Sequence, residues 1–430
     1  MRKTPHLKTK NTVRYFLLLV AILSFFFLSN DFGLIDIQKT AIVMAVGVDR
    51  EEDTFIVTSQ IAVPQSSKQG KATQTVQIVS RGNTVAQAFE EINAKTGWYP
   101  KLVFCRLIIL GEKTAEQNAF DALDFFLLDE YISDNCLLAT CDGTAKDLLN
   151  VTALIDPSGS IAMQKVLSPH AERVGAVLPT TLREFAIGYF SDNKSSYMPI
   201  LKTQPQQEQI GSNGSQGEQN NQDSQDSQGS QGGQDSQDSQ GGQNGGGQNE
   251  QGGGQGEQTQ DKPVFSASET ALFLAGKRVG TLTKEETFAF GAVKSKLRLA
   301  SYSVNENDGA YTLTVKRNTP KTKFKLGADN RASYKIQLTM TAGLLDYSKA
   351  LSLHDGADAG DLPQSVFDSA EKRLIGQIKT VFEKCRLANC DIFELTAELQ
   401  KKEKRRYQDL RREILQNAVL EVSVRFENIR

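Results

Sequence analysis

At 430 residues the chain exceeds the roughly 250 to 300 residues at which one hydrophobic core stops growing, so two or three compact units are expected. Its 49 Lys and Arg against 51 Asp and Glu leave a formal charge of −2 and a pI near 6.1, which gives no whole-protein electrostatic case for a nucleic-acid partner. Five cysteines, an odd count, leave at least one thiol unpaired or paired with another chain, and three histidines argue against a zinc cluster.

The first element is an apolar run, Tyr15-Phe16-Leu17-Leu18-Leu19-Val20-Ala21-Ile22-Leu23-Ser24-Phe25-Phe26-Phe27-Leu28, which carries no charge. Arg2, Lys3, Lys8, Lys10 and Arg14 precede it, and basic flanks keep that side of a membrane segment in the cytoplasm. The chain from about Ser29 onward is then expected to be extracytoplasmic. The run is short for a span of about 20 residues, so a cleaved secretory signal and an uncleaved anchor are both open. A signal cut needs small residues three and one positions upstream. Phe27-Leu28-Ser29 puts a bulky residue there and Asp31-Phe32-Gly33 a charge, which favours the anchor, with Arg14 and Tyr15 reaching toward head groups.

Ala41 to Val48 reads as a buried strand, Thr54 to Ile61 as its hairpin or adjacent partner, and Thr75 to Ser80 as a third strand after the polar loop Gln65 to Lys71. The period then changes. Asn83 or Thr84 is placed to cap a helix with Val85, Ala88, Phe89 and Ile92 on one face. A buried strand at Leu102 to Leu110, a helix at Thr114 to Leu128 and a short strand near Leu137 to Thr140 follow. Alternating strands and helices predict an α/β-type first domain, 39–202, with a mixed sheet, behind an arm, anchor and lead-in at 1–38.

From Thr203 the composition shifts to Gln, Gly, Ser, Asn and Asp, and QDSQDSQ occurs twice. Such a segment cannot bury enough apolar surface to offset its ordering entropy, so 203–262 reads as a disordered linker, a tether or an insertion. Its glycine spacings follow no strand and open no helix, so no phosphate loop is read there.

The second domain, 263–430, opens with a hairpin: Thr270 to Leu274 and Arg278 to Leu282 flank Ala275-Gly276-Lys277. Thr283 caps a short helix with Glu285 and Glu286 in its first turn, and 263–300 can be read as a separate hairpin–helix subdomain. Tyr334, Ile336, Leu338 and Met340 alternate with polar residues, as do Leu420, Val422, Val424 and Phe426. Both read as half-buried strands of an antiparallel sheet. Between them lies an amphipathic helix with Phe367, Ala370, Leu374, Ile378, Val381 and Cys385 inward, then a second helix over about Ile392 to Leu415. Its mixed charges around Lys401, Lys402, Lys404, Arg405 and Arg406 read as a solvated face. The predicted class is α+β: a mixed-sheet domain and an antiparallel sheet with helices on one face.

The sequence contains no GxSxG, HExxH, Walker loop or CxxC, and His170 and His354 lie in expected surface loops. Cys105 reads as a buried hydrophobe; Cys136 with Cys141 and Cys385 with Cys390 lack metal-site spacing. No enzyme, metal or cofactor is expected.

The chain resembles the Ger(x)C family, the C subunits of spore germinant receptors. Ala41 to Asp49, with Gly47 and Asp49, resembles the family's first strand, and Gly82-Asn83-Thr84 its glycine–threonine helix start. Ala122-Leu123-Asp124-Phe125-Phe126 is similar to a family helix, and Ala271 to Phe273 with Gly276, Lys277, Gly280, Glu286 and Thr287 to its hairpin. Asp391-Ile392-Phe393 and Val419 to Asn428 resemble its end. Three departures stand out. The family's lipidated cysteine falls on Asp31 and its Trp-Asp pair on Phe32-Gly33, and no cysteine precedes Cys105, so an uncleaved helix must do the anchoring. The low-complexity insertion is unusual. Glu394 stands where the family tends to have glycine. The resemblance implies a non-enzymatic, single-pass subunit in the spore inner membrane, with A-type and B-type receptor subunits as partners. A tethered extracytoplasmic ligand-binding protein serving a transporter is the alternative, and adjacent receptor-subunit or permease genes would separate the two.

Overall fold

Runs of β-branched and apolar residues become strands, and segments with helical period become helices, in the order the sequence suggests. The computed structural model describes residues 6–29, 40–63, 74–151, 158–168, 175, 177–204, 264–306, 309–348 and 362–429. His170, His354 and nearly all of 203–262 lie outside these. The first elements are α1 (His6–Ser29), β1 (Thr40–Glu51), β2 (Thr54–Val63), β3 (Gln74–Gly82), α2 (Val85–Thr96), β4 (Tyr99–Lys101), β5 (Leu107–Leu110) and α3 (Glu112–Leu128). There follow β6 (Leu137–Cys141), α4 (Ala145–Leu149), α5 (Gly159–Leu167), β7 (Thr180–Thr181), α6 (Leu182–Phe190) and β8 (Ser195–Gln204). After 205–263 come β9 (Val264–Leu274), β10 (Lys277–Leu282), α7 (Lys284–Val293), β11 (Ala300–Glu306), β12 (Gly309–Leu326) and β13 (Ala332–Tyr347). The chain closes with α8 (Gln364–Leu387), α9 (Leu395–Lys402), α10 (Tyr407–Leu410) and β14 (Val419–Asn428).

The fold is α+β with two sheets. The first runs β10-β9-β8-β6-β5-β1-β2-β3, with β4 on β1 and β7 on β6. Its middle strands β1, β5, β6 and β8 are mutually parallel, and antiparallel strands continue it on both sides. Ile108 and Leu110 face a core that includes α2, α3 and α6 residues, while Leu107 and Ile109 face another that includes α4 and α5. Burial on both faces explains the unbroken apolar run, as parallel strands covered by helices require. Thr84 is the cap of α2, accepting from the Gln87 N–H at 3.1 Å, and Val85, Ala88, Phe89 and Ile92 are its buried face.

The second sheet, β11-β12-β13-β14, packs against α7, α8 and α9, with Phe367, Ala370, Leu374, Ile378, Val381 and Cys385 all buried. Burial pushes the phenols of Tyr302 and Tyr334 in this core up to about 12. A folded value above the ordinary 10 means the fold holds each proton more tightly than the unfolded chain does. Their contribution to stability is therefore complete below about pH 10 and lost as pH rises toward 12. In an alkaline titration followed by phenolate absorbance, these two should ionise late and together with unfolding. Tyr302→Phe combined with Tyr334→Phe should remove most of that late step.

Four details depart from expectation. The strand predicted over Leu102 to Leu110 is split: β4 ends at Lys101, and the Cys105 N–H bonds the Leu102 carbonyl at 2.8 Å across a turn that presents Val103 and Phe104 to solvent. The helix predicted over Ile392 to Leu415 breaks at Glu403, whose φ of −130° is not helical, where Lys402 and Arg406 reach the Phe324 and Gly327 carbonyls of the β12–β13 turn region. β14 pairs with β13 in parallel, because the intervening helices carry the chain back to the opposite end of the sheet. The hairpin expected to open the second domain instead extends the first sheet, with β9 antiparallel to β8 in a register that places Val264 opposite Gln204. The interval 205–263 thus leaves and returns at neighbouring ends of one hairpin. The described residues up to Gln204 and from Val264 onward belong to one compact unit.

β9 is the wall that both halves share. Ala271 and Phe273 point into the core containing α3 and α6, whereas Leu272 points into the core of the second sheet.

Candidate functional site

Of the ten positions that carry the resemblance, all but Lys277 and Gly280 fall at joints between elements. At the end of β1, the buried Asp49 accepts the Ala145 N–H at 2.7 Å and the Lys146 N–H at 3.0 Å, so a strand end holds the first turn of α4. Burial pushes this carboxyl up from its usual range, opposed by those two backbone bonds. The strand and helix touch so closely that a Cβ on Gly47 would lie 2.9 Å from the Ala145 Cβ. At the entry to α2, a Cβ on Gly82 would sit 2.6 Å from the Ala88 nitrogen, which fixes glycine two residues before the Thr84 cap.

The β9–β10 turn has Ala275 and Gly276 both at positive φ, 49° and 81°, the geometry of a type I′ hairpin. It docks into α3, where Asn118 breaks the helical path with φ −162°. The Gly276 carbonyl takes the N–H of Ala119 at 2.7 Å, and Asn118 Oδ1 takes that of Phe120 at 3.1 Å. Lys277 faces solvent. Nothing in the structure explains glycine at 280, where a Cβ would meet Leu272 at an ordinary 3.6 Å.

Glu286 closes a capping box with Thr283, its carboxylate taking the Thr283 N–H at 2.8 Å, and also pairs with Lys384 of α8 at 2.7 Å. The hydroxyl of the buried Thr287 lies 3.2 Å from that of Thr270 on β9. One side chain thus ends a hairpin, starts a helix and ties it to a second helix.

Asp391 is the most enclosed joint. Its Oδ1 accepts the Leu395 N–H at 3.0 Å. Oδ2 accepts the Thr396 N–H at 2.8 Å, the Thr396 hydroxyl at 2.7 Å and the Asn193 amide at 3.3 Å. Its own N–H donates to Ser195 Oγ at 2.9 Å, and Asn193 also donates to its carbonyl at 3.1 Å. Burial raises the Asp391 carboxyl, and these donors oppose the rise. The result is a clasp from the α8–α9 connection to the start of β8. Glu394 beside it adopts φ 65°, ψ 31°, the left-handed region that favours glycine, so glutamate is the strained choice at this position. Glu394→Gly should raise stability by about 0.5–1 kcal/mol, the relief of backbone strain less the exposed Lys294 ion pair at 2.5 Å, as read by denaturant midpoints.

Two clefts flank the clasp. One of about 530 Å³ is lined by Asp192, Asn193, Asp391, Arg411 and Arg412; the other, of about 430 Å³, by Glu184, Tyr197, Lys294, Lys296 and Glu394. Their charges face one another: Lys296 with Glu184 at 3.3 Å, Lys294 with Glu394, Arg411 with Asp192 at 3.8 Å. Asp49 and Asp391 both have their oxygens engaged by donors of the fold, an arrangement that holds elements together rather than moving protons. Among the described residues, no three His, Cys, Asp or Glu side chains converge as a metal site. All five cysteines are buried and unpaired. Asn118, Asn193, Ser195 and Lys384 were not legible as partners; only Ser191-Asp192-Asn193, a turn signal before a strand, hinted at one.

Fold and joints together define a two-sheet α+β protein in which Asp49, Glu286 and Asp391 fasten sheets and helices. Residues 34–203 match the family model described as spore germination protein N-terminal domain. Residues 268–430 match that described as spore germination B3/GerAC like, C-terminal. The chain belongs to this Ger(x)C family of spore germination proteins. It is similar in fold to a solved structure, titled as the crystal structure of the GerBC protein, with a TM-score of 0.50 and 14% identity over 90% of this chain and 97% of that one. No curated protein sequence matches it.

Proposed function

We propose that the chain is a membrane-anchored, extracytoplasmic, non-enzymatic subunit of a germinant-receptor complex in the spore inner membrane, acting beside A-type and B-type subunits. The observation that carries this reading is the match of both halves of the chain to spore germination domains. The anchoring rests on α1, whose described side chains, Val13 to Phe25, are all exposed although most are apolar. Among the described residues no helix is long and apolar enough to cross a membrane; Phe26, Phe27 and Leu28, which extend the run, lie outside the described side chains. The motif positions other than Lys277 and Gly280 serve as the scaffold that keeps the body rigid, so that function resides in its surfaces.

Spores lacking this chain, and any paralogue able to replace it, should lose response to the germinant its complex serves; an unchanged response overturns the receptor reading. The mature chain should retain its N-terminal residues and stay with membranes through a salt wash. Leu19→Arg together with Phe26→Arg should prevent insertion, each central charge costing about 2.5–3.5 kcal/mol. A mature N-terminus beyond Ser29 would show a cleaved signal instead.

A further inference from the structure

Six large apolar side chains crowd one end of the first sheet without cover: Trp98, Tyr99, Val103, Phe104, Leu128 and Tyr131, each between 42% and 76% exposed. Trp98 lies in the α2–β4 connection, Val103 and Phe104 in β4–β5 and Tyr131 in α3–β6, while Tyr99 opens β4 and Leu128 ends α3; all three connections lead into the starts of parallel strands. Parallel strands start at a common end, so the topology brings these loops together. Lys101 joins two of them, its Nζ lying 5.3 Å from the Tyr99 ring centre and 3.9 Å from that of Tyr131. The turn at Val103-Phe104 exists only because the expected strand is interrupted there, and it spends that interruption on two exposed apolar residues.

β1 begins at the same end, since Thr40 pairs with Tyr99 in parallel register. About ten residues separate Thr40 from the end of α1, a reach of at most about 40 Å. We propose that this aromatic end rests on the head-group layer of the membrane that holds α1, as a second, peripheral contact. The inference rests on the anchoring reading above. Trp and Tyr carry an apolar body with a polar tip and are the residues enriched at membrane interfaces, while Phe, Val and Leu lose exposed apolar surface on entering the acyl boundary. Lys95 in the last turn of α2, Lys101 at the end of β4 and Arg106 before β5 stand against Asp129, Glu130 and Asp134 in the α3–β6 connection, so the charge is mixed. The contact is accordingly apolar and aromatic in character, and its occupant is lipid.

Trp98 is the only tryptophan in the chain, which makes it a built-in probe. The full chain is reconstituted in phosphatidylethanolamine–phosphatidylglycerol vesicles, with or without lipids brominated near the head group. Bromination should quench Trp98 emission by roughly twofold, and aqueous iodide should quench it less than in detergent-free unfolded chain. Phe104→Ser combined with Tyr131→Ser, both at exposed positions, should abolish the bromolipid quenching while the chain still sediments with vesicles. Sedimentation with vesicles but no bromolipid quenching overturns the docking and leaves the anchor standing. A chain that remains in the supernatant overturns both. Quenching that appears only when other membrane proteins are present also overturns it, because the occupant is then protein.

Discussion

Asp391→Ala is expected to cost about 3–5 kcal/mol, the scale for removing one partner from a buried, fully bonded charged group. Four donors converge on its carboxylate, and truncation takes the acceptor from the Leu395 and Thr396 N–H groups and the Thr396 hydroxyl, leaving the Asn193 amide only the Asp391 carbonyl. Asp391→Asn should cost less but still about 1–3 kcal/mol, since its amide would set a donor against donors. Urea unfolding of the three proteins decides the matter. A loss below about 1 kcal/mol for the alanine variant would mean that the clasp is dispensable and that hydrophobic packing around β9 alone joins the sheets.

Replacing residues 205–263 by a short hairpin loop should leave the fold intact and raise its stability by up to about 2 kcal/mol. Closing a loop costs about 0.6 kcal/mol per doubling of length, and about sixty residues shrink to a handful in three to four doublings. The expectation depends on β8 and β9 being neighbours, with Gln204 opposite Val264. If the insert bridged two separate domains, so short a connection would strain or unfold one of them. Equal or higher thermal stability after replacement supports the hairpin; loss of one half of the circular dichroism signal contradicts it.

What could be read from the sequence is what is decided locally. The cap and buried face of α2 follow from Thr84 and a helical period over twelve residues, and the inner stripe of α8 follows in the same way. The positive-φ turn at Ala275-Gly276 was legible from its glycine. Its docking into the break at Asn118 was not, because no local rule links segments so far apart in the chain. The seam was hidden for a related reason. Leu272 and Phe273 are adjacent and both apolar, and a period-two reading cannot say that each faces a different core. The motif positions themselves were visible through the family resemblance. That they act as joints, with Asp391 clasping Asn193 and Ser195, emerges only once the chain is folded.

That the two family-matched halves form one body, joined along β8 and β9, is tested most directly by cutting the chain. A site-specific protease sequence placed between Gly211 and Gly256 allows the native protein to be nicked once and passed through gel filtration without denaturant. Because β8 and β9 pair along their whole length and the Asp391 clasp lies across the seam, the two fragments should elute together at the volume of the uncut chain and separate only in denaturant. Fragments that part under native conditions and run as two independent domains would contradict the account.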